Sequence, residues 1–137
     1  MNGATPIGQP QRAAGGVLYL VPTPIGNLRD VTLRALDILS TAEVIAAEDT
    51  RRTGQLLALL GVARAGRMLS YHEHNEAERA AELAAELAAG RSVALVTNAG
   101  TPCVSDPGYR AVRAALEAGC RVEALPGAST VTAALAA

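Results

Sequence analysis

Val93-Ala94-Leu95-Val96-Thr97-Asn98-Ala99-Gly100-Thr101-Pro102 is four apolar residues followed by six that are small, polar or turn-forming. The apolar run has the length of a strand and no polar side to offer water. It therefore reads as a strand covered on both faces, central in its sheet. The same order of residues recurs through the chain. Apolar runs at 17–21, 44–47, 68–71 and 122–125 lead into Pro22-Thr23-Pro24-Ile25-Gly26-Asn27, Ala47-Glu48-Asp49-Thr50-Arg51, Tyr71-His72-Glu73-His74-Asn75 and Leu125-Pro126-Gly127-Ala128-Ser129. The five polar motifs begin at 22, 47, 71, 97 and 125, which are 25, 24, 26 and 28 positions apart. That interval holds one strand and one helix.

Helical patterns fill the gaps. Val31, Ala35, Ile38 and Leu39 make a stripe behind a cap at Asp30. Residues 51–60 follow Asp49 or Thr50 and stop at Gly61. Asn75, with Glu76 and Glu78 in the first turn, opens a helix that carries Leu83 and Leu87 and ends at Gly90. Asp106-Pro107 opens another, running to about Ala118, and residues 130–137 begin a last one. The expectation is an α/β fold: five βα units in an open, mainly parallel sheet, with helices on both faces. All five motifs would then share the carboxyl edge, where such sheets bind ligands.

The 137 residues are enough for one domain with a core, but that core must be built from small side chains. Half the chain is apolar, much of it Ala; Phe and Trp are absent and three Tyr are the only aromatics. All 12 basic residues are Arg, and the net charge is −1. A dedicated nucleic-acid-binding domain is usually basic, so contact with RNA would need a local patch or protein outside this chain. Cys103 and Cys120 have neither metal nor disulfide spacing, which fits a reducing compartment. No apolar stretch approaches membrane-spanning length, and no signal peptide is visible. Residues 1–15, rich in Gly, Gln, Pro and Ala, read as a disordered leader, and 16–137 as the α/β domain. The last helical pattern has no stop signal, so the chain is expected to be the front part of a longer protein.

Ordinary dehydrogenase and nucleotide-hydrolase chemistry is disfavoured. No G-x-G-x-x-G follows a strand, and without Lys a P-loop is impossible. The motif at 97–102 is either a tight turn or a cradle whose amides approach a ligand closely. Ser129 or Thr130 either caps a helix or aims a helix start at a polar group. Glu48, Asp49, Arg51 and Arg52 are either a charged first turn or acids and guanidiniums placed to handle a hydroxyl and a phosphate. His72 and His74 lack a third ligand at zinc spacing, so no metal is expected. Nothing beside Cys103 activates its thiol.

Together the motifs resemble one family. The run Leu18-Tyr19-Leu20-Val21-Pro22-Thr23-Pro24-Ile25-Gly26-Asn27-Leu28 carries the likeness, with Ala46-Ala47-Glu48-Asp49-Thr50-Arg51 and His72-Glu73-His74-Asn75. So do Ala99-Gly100-Thr101-Pro102, Ser105-Asp106-Pro107-Gly108-Tyr109 and Leu125-Pro126-Gly127. In order and spacing, from residue 17 to 137, they are similar to the small-subunit ribosomal RNA methyltransferases of the tetrapyrrole methylase superfamily. The resemblance implies a two-domain, cytoplasmic enzyme, homodimeric and free of membrane. It would use S-adenosylmethionine to methylate the ribose 2′-hydroxyl of a cytidine in the decoding region of 16S rRNA, in the small ribosomal subunit.

By the same resemblance, Asn98, Ala99, Gly100, Thr101, Pro102, Val104, Ser129 and Thr130 line the cofactor pocket, with Pro24 and Gly26 across from them. Glu48, Asp49 and Arg51 face the acceptor ribose or its phosphates, with Glu48 or Asp49 as the base. Asn98 departs from the family, which carries an acid there, and so removes a charge next to the sulfonium. Ala128 stands where a proline is usual. The second domain is not in this chain, so the fragment alone is expected to be inactive. The rival enzyme reading is methylation of a tetrapyrrole such as a corrin or sirohaem precursor. Those enzymes more often open with Gly-Pro-Gly and carry Gly-Asp-Pro where this chain has Gly100-Thr101-Pro102. A third reading is a scaffold that only folds or holds cofactor feebly.

Overall fold

The apolar runs become five strands in the computed structural model, which describes residues 7–98, 100, 102, 108–129 and 134–136. They are β1 (Val17–Leu20), β2 (Val44–Ala47), β3 (Arg67–Ser70), β4 (Val93–Val96) and β5 (Arg121–Ala124). All are parallel, in the order β3-β2-β4-β1-β5. Every residue of β1, β2 and β4 is buried, and β4 is the middle strand. The edge strands β3 and β5 open with exposed Arg67 and Arg121. An outer strand can start on a charged residue because one side meets water. Both begin one residue earlier than the apolar runs suggest, which leaves Tyr71 and Leu125 buried just past the strand ends.

Helices cover both faces. α1 (Leu33–Thr41) and α2 (Thr50–Leu59) pack Ala35, Ile38, Leu39 and Leu57 on Tyr19, Val21, Ile45, Ala47 and Val96. α3 (Glu76–Ala88) and α4 (Tyr109–Glu117) pack Ala80, Leu83, Leu87, Ala111 and Ala115 on Leu18, Leu20, Val44, Leu69 and Leu95. The strands step toward β3 through α1 and α2, then toward β5 through α3 and α4. Reversing direction and changing face together is what one handedness of crossover demands. Tyr71 heads the fully buried side chains by volume; the rest of that group are Leu, Ile and Val.

Helix starts differ from expectation in instructive ways. Asp30 does not cap α1. The side chain of Asn27 accepts from the Arg29 amide and folds Leu28–Asp30 into a 3-10 turn. The chain then extends, and Thr32 Oγ1 caps α1 at the Ala35 amide. Asp49 caps α2 as expected, accepting from the Arg51 and Arg52 amides at 3.0 and 3.1 Å. Asn75 occupies the cap position of α3, but its side chain turns back, accepting from the His72 amide and donating to Ser70 Oγ. Glu76 serves the neighbouring helix: its Oε1 accepts from the amides of Gly108 and Arg110 at the start of α4. The expected opening at Asp106-Pro107 lies outside the described residues; α4 begins at Tyr109. Of the last expected helix, 134–136 is described and helical.

Within the stretch 1–15 read as a leader, residues 11–14 are tied to the domain. The Gln11 amide donates to Asp37, the Ala13 amide to Thr41 Oγ1 and the Ala14 amide to Tyr19 Oη, while Ala13 packs on the core. No helix among the described residues is long and apolar enough to cross a membrane.

Tyr71 ties the α3–α4 side together. Its hydroxyl donates to Glu76 Oε1 and accepts from the buried Ala111 amide, both at 3.0 Å. Tyr71→Phe leaves that amide without its partner, so a loss of about 1–3 kcal/mol is expected in urea unfolding of the chain. An unchanged midpoint would show that the hydroxyl contributes nothing.

Candidate functional site at the carboxyl edge

Register puts the five polar motifs on one rim. Leu20 is level with Leu95 and Ala124, and Ala47 with Val96 and Ser70. β4 lies between β1 and β2, yet the chain leaves it for the opposite face. The loops therefore part at the end of β4, which opens a crevice at this rim.

Backbone contacts fix the crevice walls. Thr23 and Gly100 form an antiparallel bridge with hydrogen bonds of 3.0 and 2.9 Å. Gly100 sits at φ +86°, and a Cβ there would stand 3.3 Å from Ile25 Cγ2, so this position favours glycine by conformation and by space. Gly127 lies against the Pro22 ring, where a Cβ would come within 2.9 Å. The loops after β1, β4 and β5 are thereby joined. The loop after β2 joins them through Glu48, whose Oε1 accepts from the Asn98 amide at 3.3 Å.

A cavity of about 400 Å³ opens between residues 24–28 and the Arg52, Gln55, Leu56 and Leu59 face of α2, with Asn98 completing its wall. Its size falls in the range of ligand pockets. Thr23 Oγ1 and Asn98 Oδ1 are buried without a hydrogen-bond partner among the described residues. Buried polar atoms are seldom left so; Asn98 borders the cavity, where a ligand offering a donor would satisfy it, whereas Thr23 is 1% exposed and does not line it.

The rim gathers Pro24, Gly26, Glu48, Asn98 and Gly100, and Pro102, two residues past Gly100, is buried. Ser129 stands past β5, two residues beyond the Gly127–Pro22 contact. Asp49 and Arg51 are at the exposed start of α2, Asp49 engaged as its cap. Ala99, Thr101, Val104 and Thr130 lie outside the described residues. Cys103 does too.

His72 Nδ1 accepts from the His74 amide, and the two rings meet edge to face at 5.8 Å. No group of three metal-ligating side chains occurs among the described residues. On the exposed face of α4, the hydrogen bond and charge of Glu117, with a contribution from Tyr109, raise the Arg113 guanidinium above its ordinary value.

Three residues of this site escape a reading of the motifs. Thr23 is inside a quoted motif, but its buried hydroxyl leaves no local trace. Arg52 was grouped with the charged turn, whereas it borders the cavity, and Gln55 follows it by i+3 on the same helix face.

Comparison with known proteins gives a consistent picture. The family model of the Tetrapyrrole (Corrin/Porphyrin) Methylases matches residues 17–137. A ribosomal RNA small subunit methyltransferase I of Escherichia coli O157:H7 is 52% identical over 122 residues, 89% of this chain and 42% of that protein. The protein of the same name from Mesorhizobium japonicum is 52% identical over 137 residues, all of this chain and 45% of its own length. The chain thus spans under half the length of these relatives. Among solved structures, a uroporphyrin-III-C-methyltransferase from Thermus thermophilus superposes with a TM-score of 0.65 at 31% identity, over 88% of this chain and 50% of that one. A cobalt precorrin-4 methyltransferase gives 0.69 at 22% identity over 88% and 49%, a likeness of fold alone.

Proposed function

This chain belongs to the tetrapyrrole methylase family, and from that membership we propose that it is the N-terminal α/β domain of a cytoplasmic, homodimeric S-adenosylmethionine-dependent ribosomal RNA methyltransferase. Its acceptor is a cytidine ribose 2′-hydroxyl in the decoding region of 16S rRNA. The observation that carries the reading is the rim where the β1, β2 and β4 loops converge around a cavity bordered by Asn98, whose Oδ1 has no partner among the described residues. Identity near 52% to ribosomal RNA methyltransferases, against 31% to the uroporphyrin enzyme, favours RNA over a tetrapyrrole as acceptor.

The residues fit the cofactor. Asn98 and Gly100 offer small, polar surface, and Asn98 Oδ1 is an acceptor for an amino or hydroxyl donor. Pro102, Ser129 and the motif residues Ala99, Thr101, Val104 and Thr130 would complete its wall, with Pro24 and Gly26 opposite. Asn98 would hold the cofactor without adding a negative charge. The remaining length of the relatives supplies the other side of the cleft.

When bound, S-adenosylmethionine supplies an electrophilic methyl: the ribose oxygen bonds to it while the carbon–sulfur pair leaves with sulfur. The chain's share is alignment, exclusion of water and removal of one proton. Alignment alone can contribute about 7–11 kcal/mol. The proton goes to Glu48. Its Oε1 reaches the β4 loop at the Asn98 amide, which sets the carboxylate in the crevice with Oε2 left to accept. Asp49 is the cap of α2, and Arg51 stands at the rim for a phosphate.

The test has two arms. Calorimetry of this chain with S-adenosylmethionine is expected to show binding that weakens in Asn98→Ala. A polypeptide of the relatives' full length carrying this chain, given labelled cofactor, is expected to place label on ribose in the small subunit. Label on a tetrapyrrole and none on RNA would reject the assignment.

A further inference from the structure

The arginines of this chain divide by whether they have partners. Arg34, Arg67, Arg79, Arg91, Arg113 and Arg121 meet carboxylates, and Arg64 donates to the Gly66 carbonyl. Arg12, Arg29, Arg51, Arg52 and Arg110 have no side-chain partner among the described residues. One of those five lines the cavity at the carboxyl rim, and two more are chain neighbours of residues that line it. Arg52 is the lining residue, Arg51 precedes it on the first turn of α2, and Arg29 follows Leu28, which also lines the cavity. All three are exposed.

Three carboxylates stand in the same segments, and the amide hydrogen bonds two of them accept leave their charge in place. Asp49 Oδ1 takes the two α2 amides and Glu48 Oε1 takes the Asn98 amide; Asp30 alone stands unengaged beside Arg29. The surface between the guanidiniums is aliphatic, with Ile25, Leu28 and Leu59 36%, 41% and 71% exposed. Free guanidiniums around an apolar hollow suit a chain of phosphates and riboses better than a metal ion or a single small anion.

We infer that Arg29, Arg51 and Arg52 form a docking strip for the phosphates of a single-stranded RNA segment that crosses the cavity, flanking the acceptor nucleotide. The inference rests on RNA being the substrate, and it adds the surface that holds it. The guanidiniums set position and register along the strand, and the aliphatic hollow takes a sugar or base edge.

Binding of a fluorescent single-stranded RNA of roughly 12 nucleotides to this chain, followed by anisotropy from roughly 50 to 200 mM salt, tests the strip. Three phosphate contacts give a slope of log affinity against log salt of about −2, and each of Arg29→Gln, Arg51→Gln and Arg52→Gln should shallow it by about 0.7. These side chains have no partner among the described residues, so circular dichroism of the variants should match the parent. Arg110→Gln, an unpaired arginine on α4, should leave the slope unchanged. The strip is overturned if Arg110→Gln shallows the slope equally, if the three variants do not, or if the parent shows no salt-dependent binding. A polyglutamate of matched charge that fully displaces the RNA also overturns it, assigning the surface to an acidic protein. Methyl transfer is not read here, so the two failures are distinguishable. Unchanged slopes with labelled ribose sink the strip alone; label on a tetrapyrrole and none on RNA sinks the methylation reading and, with it, the strip.

Discussion

Glu48→Gln should lower single-turnover methyl transfer by about 10²–10⁴-fold, the usual contribution of a positioned general base. Glutamine keeps an oxygen to accept from the Asn98 amide, so the wall geometry survives and only the proton acceptor is lost. Cofactor affinity by calorimetry should therefore stay near the parent value. Asp49→Asn is the contrasting variant. Asparagine caps a helix about as well as aspartate, so α2 keeps its bonds to the Arg51 and Arg52 amides and transfer should be nearly unchanged. The reverse pattern, with Asp49→Asn inactive and Glu48→Gln active, would move the base to Asp49.

Gly66→Ala should be among the most destabilising single-methyl additions. Gly66 enters β3 at the amino edge, and a Cβ there would fall on the carbonyl oxygens of Ala42 and Glu43. The segment has no freedom to retreat. The Ala65 amide donates to the Ser40 carbonyl and the Arg67 amide to the Glu43 carbonyl, which fixes the Val44–Arg67 register. Backbone rather than a flexible side chain must give way, so a loss of about 3 kcal/mol or more is expected, at or beyond the usual upper end for overpacking. Gly54→Ala makes the opposite case. It lies within α2 with no heavy atom within 4 Å of a built Cβ. Alanine there should stabilise by about 0.5–1 kcal/mol, through helix propensity. Urea midpoints of the two variants moving in the same direction would refute the steric account.

The sheet was legible because a strand buried on both faces has little sequence freedom. Residues 93–96 and 44–47 could hardly be anything else, and regular spacing fixed the crossovers. Local caps were legible only where the bond is local. Asp49 reads its own helix; Glu76 reads α4, 32 residues ahead, and no window around Glu76 contains that information. Asn75 failed for a similar reason, since the turn after β3 competes for its amide. At the rim, the quoted motifs gave Glu48, Asn98 and Gly100. The unpaired state of Thr23 Oγ1 and the position of Arg52 beside the cavity depend on how loops fold over each other. Those facts belong to three dimensions.

The pair of hydrogen bonds between Thr23 and Gly100 has a thermodynamic corollary. A molecule that stills either loop stills its neighbour through the same seam. The entropic penalty of ordering is then met once for both, and a second molecule arriving beside the first encounters a rim already at rest. Cooperativity between two bound species can arise there without any shift in the mean structure.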